Sequence, residues 1–227
     1  MKIGILLTGH APDIMLETFG DYDRMFAELL AGHSFDFETY AVVDMTFPPG
    51  PEAADGWLIT GSKHGAYEEL PFIPPLEDLI RDIHASGKPT LGICFGHQII
   101  AQALGGKVEK FTGGWSVGRV DYEYRGQPIA LNAWHQDQVT TLPEGAKVIA
   151  SNAFCENAAL VYGDRIWTIQ PHPEFGATFV DGLIRHRGKG VVPDTQLEDA
   201  AHRLHAPVQN AMIADEMAAF LKREKTT

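Results

Sequence analysis

The chain has 227 residues, two of them cysteine, with 44% hydrophobic and 21% charged residues and a formal net charge of −12. That length suits one large α/β domain of ordinary soluble composition. The acidic balance argues against a nucleic-acid surface, whose usual footprint is a basic face. The two cysteines give no disulfide framework and fit a cytoplasmic location. No apolar run reaches the ~18 residues of a membrane span.

Ile3 to Leu7 is a continuous apolar run, which predicts a strand covered on both faces. Gly9, His10 and Pro12 interrupt it too early for a signal peptide. Thr8 to Pro12 is then a loop. Tyr22, Met25, Phe26, Leu29 and Leu30 recur at helical spacing, and Gly32 ends the pattern. Phe35 to Val43 alternates as a second strand. Phe47 to Asp55, with Pro48, Pro49, Gly50 and Pro51, is a connector. Gly56 to Ile59 predicts a third strand, followed by Thr60-Gly61-Ser62. Leu76, Leu79, Ile80 and Ile83 mark a helix stopped by Gly87 and Pro89. Strands alternating with helices predict a parallel sheet with helices on both faces, whose sites lie beyond the carboxyl ends of the strands.

The next strand runs into Gly92-Ile93-Cys94-Phe95-Gly96-His97-Gln98, and a helix through Leu104 follows. A cysteine in a glycine-flanked strand-to-helix turn has the layout of a nucleophile elbow. Two glycines allow strand and helix to approach closely, and the helix N-terminus favours a thiolate. From Lys107 to Gln170 short β-type runs with turns predict a partly antiparallel continuation of the sheet: Val117 to Tyr124, Pro128 to Asn132, Gln138 to Thr141, Lys147 to Ala150, Ala159 to Tyr162 and Ile166 to Ile169. Helices are expected over Phe175 to Arg185, Asp194 to Leu204 and Pro207 to Leu221. The basic stretch Arg185 to Lys189 reads as a solvated helix end.

After the last strand comes Gln170-Pro171-His172-Pro173-Glu174. Each proline holds its predecessor extended, so His172 and Glu174 are expected on one face of an extended segment. A carboxylate on one imidazole nitrogen leaves the other to take a proton from a thiol.

Gly92 to Gln98, His172-Pro173-Glu174 and Ile59-Thr60-Gly61-Ser62 together resemble the class I (triad) glutamine amidotransferases, over most of residues 1–190. The chain is similar to the glutaminase domain of GMP synthase and to the γ-glutamyl peptidases. The resemblance implies an α/β, flavodoxin-like three-layer sandwich with a mostly parallel central sheet, extra antiparallel strands and C-terminal helices. It implies a single domain over 1–227, with about 190–227 as a helical extension. Residue by residue, it makes Cys94 the nucleophile, His172 the base and Glu174 its orienter. The backbone of Gly61, Ser62 and Phe95 forms the oxyanion hole, and Gln98, His135, Gln136 and Asp137 contact substrate. Trp115 either lines a pocket for a larger substrate or packs within its loop.

Two enzymatic readings follow. In the first, the chain hydrolyses glutamine and passes ammonia to a separate synthetase subunit. In the second, it is a free-standing hydrolase of γ-glutamyl peptides or glutathione conjugates. No cofactor is expected. A zinc site from Cys94, His97, His135 and His172 is disfavoured, because Cys-x2-His lacks a second ligand pair at zinc spacing. In an α/β-hydrolase the acid precedes the histidine by a long stretch, whereas here it follows two residues later. Cys155 reads as structural.

Overall fold

The computed structural model describes residues 1–223. In chain order its first half contains β1 (Lys2–Leu6), α1 (Asp13–Phe19), α2 (Tyr22–Leu29), β2 (Asp36–Tyr40), β3 (Gly56–Ile59), α3 (Ile73–Ser86), β4 (Thr90–Ile93) and α4 (Phe95–Ala103). Then come β5 (Lys107–Lys110), β6 (Ser116–Tyr124), β7 (Gln127–His135), β8 (Asp137–Thr141), β9 (Ala146–Ser151), β10 (Ala159–Tyr162) and β11 (Ile166–Ile169). Three helices follow: α5 (Ala177–Leu183), α6 (Asp194–His202) and α7 (Asn210–Leu221).

Among the described residues, nine strands make one sheet in the order β2-β1-β3-β4-β11-β10-β9-β6-β7, and β5 pairs with β8 in a separate ribbon. The pairs from β2 to β11 are parallel; those from β11 to β7 are antiparallel. The parallel strands are the continuous apolar runs, because helices cover both their faces. On one face, Ile3, Ile5, Leu58, Leu91 and Ile93 pack with Phe26 of α2 and with Ile213, Met217 and Phe220 of α7. On the other, Leu6, Trp57 and Ile59 pack with Leu76, Leu79, Ile80 and Ile83 of α3 and with Ile99 and Ile100 of α4. A third cluster, from α1, α5, α6, Trp134 and Phe175, closes over the carboxyl ends of the strands.

Several boundaries differ from the sequence expectation. Helix α1 lies where no element was expected, because it buries only Met15 and so shows no apolar stripe. Strand β5 was missed for a similar reason: only Val108 is buried in it. Strand β2 ends at Tyr40, and Val42–Asp44 turns as a 3₁₀ segment. Strand β7 continues past Asn132 to His135, since every residue from Ile129 onward is buried. Helix α5 stops at Leu183, and Ile184–Gly188 forms a π-helical turn, so the basic stretch is no regular helix end.

Candidate active site

Cys94 is the single residue between β4 and α4. Its φ of 52° and ψ of −104° are unusual for a residue with a Cβ, and such strain costs roughly 1–3 kcal/mol. Three backbone hydrogen bonds hold the turn. Cys94 N donates to Ile169 O at 2.9 Å, Gly96 N to Thr60 O at 3.0 Å and Gln98 N to Cys94 O at 3.0 Å. The neighbouring strands β3 and β11 thus fix the elbow from both sides. A Cβ on Gly96 would collide with the carbonyl oxygen of Ile59, and one on Gly92 would lie 2.7 Å from Gly96 O. Only glycine lets α4 start this close to the sheet, with its N-terminal dipole behind the thiol.

His172 follows β11, the strand beside β4. Its Nδ1 lies 2.6 Å from Glu174 Oε1, and its ring stands beside the Cys94 side chain, close enough for their charges to interact. The His172–Glu174 segment is not extended. His172 makes a lone bridge to Asn132, and the chain turns at once, with Phe175 N donating to His172 O at 3.3 Å. Glu174 reaches the imidazole by folding back across this turn. Burial would push the imidazole pKa down, but the Glu174 and Cys94 charges outweigh it and raise it to about 10. The imidazole therefore carries its proton at neutral pH.

Asn132, unmarked in the sequence, holds this loop. Its carbonyl accepts from His172 N at 2.8 Å, and its Nδ2 donates to Phe175 O at 2.8 Å. The Phe175 ring stacks flat on His172, centroids 3.9 Å apart and planes 3° off parallel. An aromatic after His-Pro-Glu was the available sign of this stack.

Gly61 and Ser62 follow β3 beside the elbow. A Cβ on Gly61 would sit 2.9 Å from His172 Cε1 and 3.6 Å from Cys94 Cβ. Among the described residues, the backbone N–H groups of Gly61, Ser62 and Phe95 donate to no protein acceptor. They are available donors next to the thiol. Gly61→Val is expected to lower kcat by about 10²–10³-fold, the usual effect of losing one such donor, with circular dichroism unchanged. An unchanged kcat would place the oxyanion donors elsewhere.

A cavity of about 360 Å³ opens at the thiol, and Cys94, His172, Ser62, Gln98, Trp115, His135, Gln136 and Asp137 all line it. The polar members are largely tied to one another. Gln98 Nε2 donates to Asp137 O and to Gln170 Oε1, both at 3.0 Å, so this nitrogen braces the wall instead of being held for substrate. His135 Nδ1 donates to Asp137 O at 3.2 Å, and Gln136 Nε2 to Phe111 O at 3.2 Å. The Asp137 carboxylate accepts from the Tyr67 hydroxyl at 3.1 Å, and burial raises its pKa. Trp115 lines the cavity and packs on the apolar cluster of α5 and α6 rather than within its own loop.

His97 lies wholly inside the protein, with Nδ1 2.8 Å from the Thr168 hydroxyl. Burial lowers the pKa of both His97 and His135 to about 3, so both are neutral. Among the described residues no three His, Cys, Asp or Glu side chains converge as metal ligands. Cys155 is buried, which pushes its thiol up to about 12. The cavity also has lining residues that sequence reasoning missed, among them Tyr22 at the start of α2, and Arg187 in the π-helical turn. Nothing in the sequence marked that turn.

Residues 40–184 match the family model described as glutamine amidotransferase class-I. γ-Glutamyl peptidase 4 of Arabidopsis thaliana is 33% identical over 184 residues, covering 74% of this chain and 73% of that one. The GMP synthase of Bacteroides fragilis is 32% identical over 168 residues, 68% of this chain and 32% of the synthase. In fold, the chain is similar to a glutamine amidotransferase from Methylobacillus flagellatus, with a TM-score of 0.77, 23% identity and coverage of 100% of this chain and 96% of that one. The sheet with its antiparallel wing is the flavodoxin-like α/β sandwich of these proteins. On the family match and the shared length, the chain belongs to the class I glutamine amidotransferases.

Proposed function

We propose that the chain hydrolyses γ-glutamyl amide bonds through a Cys94 thioester. The observation that carries this is the strained Cys94, beside a His172 that Glu174 holds from behind. The Cys94 thiolate attacks the γ-carbonyl carbon, and the carbonyl oxygen takes negative charge facing the N–H groups of Gly61, Ser62 and Phe95. The C–N bond breaks as His172 gives its proton to the leaving nitrogen. Neutral His172 then takes a proton from water, and the hydroxide attacks the thioester. Glutamate leaves, and the thiolate–imidazolium pair is restored.

Glutamine, which leaves ammonia, is the smallest substrate of this chemistry. The sequence reading ranks the ammonia donor to a separate synthetase first. The cavity supports the other order, because its volume of about 360 Å³, walled also by Trp115, Arg187 and Val191, exceeds what glutamine and a leaving ammonia require. A γ-glutamyl peptide or conjugate would fill that space. One observation favours the synthetase-coupled reading: Val191 and Tyr67, both on the cavity wall, are 59% and 45% exposed, an apolar rim where a partner could seat. No helix among the described residues is long and apolar enough to cross a membrane. Two free thiols fit a cytoplasmic setting.

The test measures glutamate release by the purified chain from glutamine and from γ-glutamyl peptides, with no partner present. Turnover of peptides above glutamine supports the free-standing hydrolase. Turnover of neither, restored on adding a synthetase, supports the ammonia donor. No release from either, with or without a synthetase, would refute the hydrolytic reading.

A further inference from the structure

The cavity at Cys94 is electrically uneven, and its charges are not all matched. Its two acids have partners. Glu68 accepts from Gly65 N at 3.0 Å and lies 3.4 Å from His64 Nδ1, while Asp137 is held by Tyr67. Lys63 and Lys110 also line it, but both are exposed. Arg187 is different. It is half-buried and has no hydrogen-bond or ion-pair partner among the described residues. Its neighbour Arg185, on the same turn, pairs with Asp181 at 2.7 Å. A guanidinium on the cavity wall without a counter-charge is free to take a carboxylate, which its planar fork suits.

The position of Arg187 says which part of a substrate it meets. Leu183, four residues before it, packs in one cluster with Tyr22 and Phe175, and Arg187 and Tyr22 line the same cavity. The Tyr22 ring lies 6.2 Å from Phe175, and Phe175 stacks on His172. Arg187 therefore stands on the His172 wall of the cavity. His172 delivers its proton to the leaving nitrogen, so the leaving group must occupy that wall.

We infer that Arg187 receives a carboxylate carried by the amine leaving group, which makes γ-glutamyl amino acids and peptides, rather than neutral γ-glutamyl amines, the preferred substrate class. This rests on the Cys94 hydrolysis reading. The π-helical turn has a use in this arrangement, since it re-aims the end of α5 so that Arg187 faces inward while Arg185 stays on the surface.

The test uses γ-glutamylglycine and γ-glutamylalanylglycine, each as the free acid and as its C-terminal carboxamide. The readout is the ratio of kcat/KM for acid over carboxamide. A charged hydrogen bond of this kind is worth roughly a 10–100-fold preference. Wild type is expected to show that preference at one of the two lengths. Arg187→Gln is expected to abolish it and Arg187→Lys to restore part of it. No acid preference at either length overturns the inference, and so does a preference that survives in Arg187→Gln. If wild type cleaves none of the four compounds but releases glutamate from glutamine, alone or with a synthetase, or if it cleaves acid and carboxamide alike, only the inference about Arg187 fails; if it releases glutamate from none of them, glutamine included, with or without a synthetase, the hydrolysis reading fails as well.

Discussion

Cys94→Ala is expected to abolish glutamate release while the protein stays folded. The loss should be on the order of 10⁶-fold in kcat, as when the nucleophile of a serine triad is removed. Alanine keeps the Cβ and therefore the strained backbone, so its thermal midpoint should stay near wild type. Cys94→Gly should be equally inactive but more stable, by about 1 kcal/mol, because glycine tolerates a φ of 52°. The two variants separate chemistry from strain. A glutamine-like electrophile should label Cys94 and spare Cys155, whose buried thiol stays protonated at neutral pH. Labelling of Cys155 alone would remove Cys94 from the mechanism.

Loss of His172 should be the second largest effect. His172→Ala should reduce kcat by about 10²–10⁴-fold, the usual worth of a placed acid–base group. Glu174→Gln should cost less but move the pH profile. In the proposed reaction the imidazolium is the acid that protonates the leaving nitrogen, so activity should fall as pH rises through its pKa. In the wild type that pKa is raised to about 10, with Glu174 the largest raising influence against the effect of burial. Removing the Glu174 charge lowers it, so the alkaline limb of kcat/KM should shift to lower pH. A limb that stays in place in Glu174→Gln would mean that another group is the acid.

The reach of sequence reasoning followed burial. The parallel strands were legible because both their faces are covered, which leaves unbroken apolar runs such as Gly56 to Ile59. The elbow was legible because close approach of α4 to the sheet demands glycine at fixed positions around Cys94. Helix α1 and strand β5 were not, since each buries a single side chain. His172 and Glu174 were paired correctly but through the wrong geometry. The extended segment expected from the prolines gives way to a turn pinned by Asn132, a contact from the far edge of the sheet that no local rule supplies. Gln98 was placed at the cavity, yet its amide nitrogen is engaged by residues distant in the chain. Arg187 was hidden for a related reason: a basic run usually means a solvated surface, and only the π-helical turn brings one of its members inward.

The adjacency of β4 and β11 also orders events in time. Cys94 is carried by β4, but its N–H is satisfied only by Ile169, at the end of β11. Everything between them, from α4 to β10, is made by the ribosome first, and β11 must then insert beside β4 in parallel register. Such non-local pairing is slow to form. His172 lies three residues beyond that strand, and its loop docks on β7, at the opposite end of the antiparallel wing. Cys94 is thus synthesised long before His172 can reach it. In the proposed reaction, a half-made or partly unfolded chain is inert, and catalysis begins only when the last strand has closed the sheet.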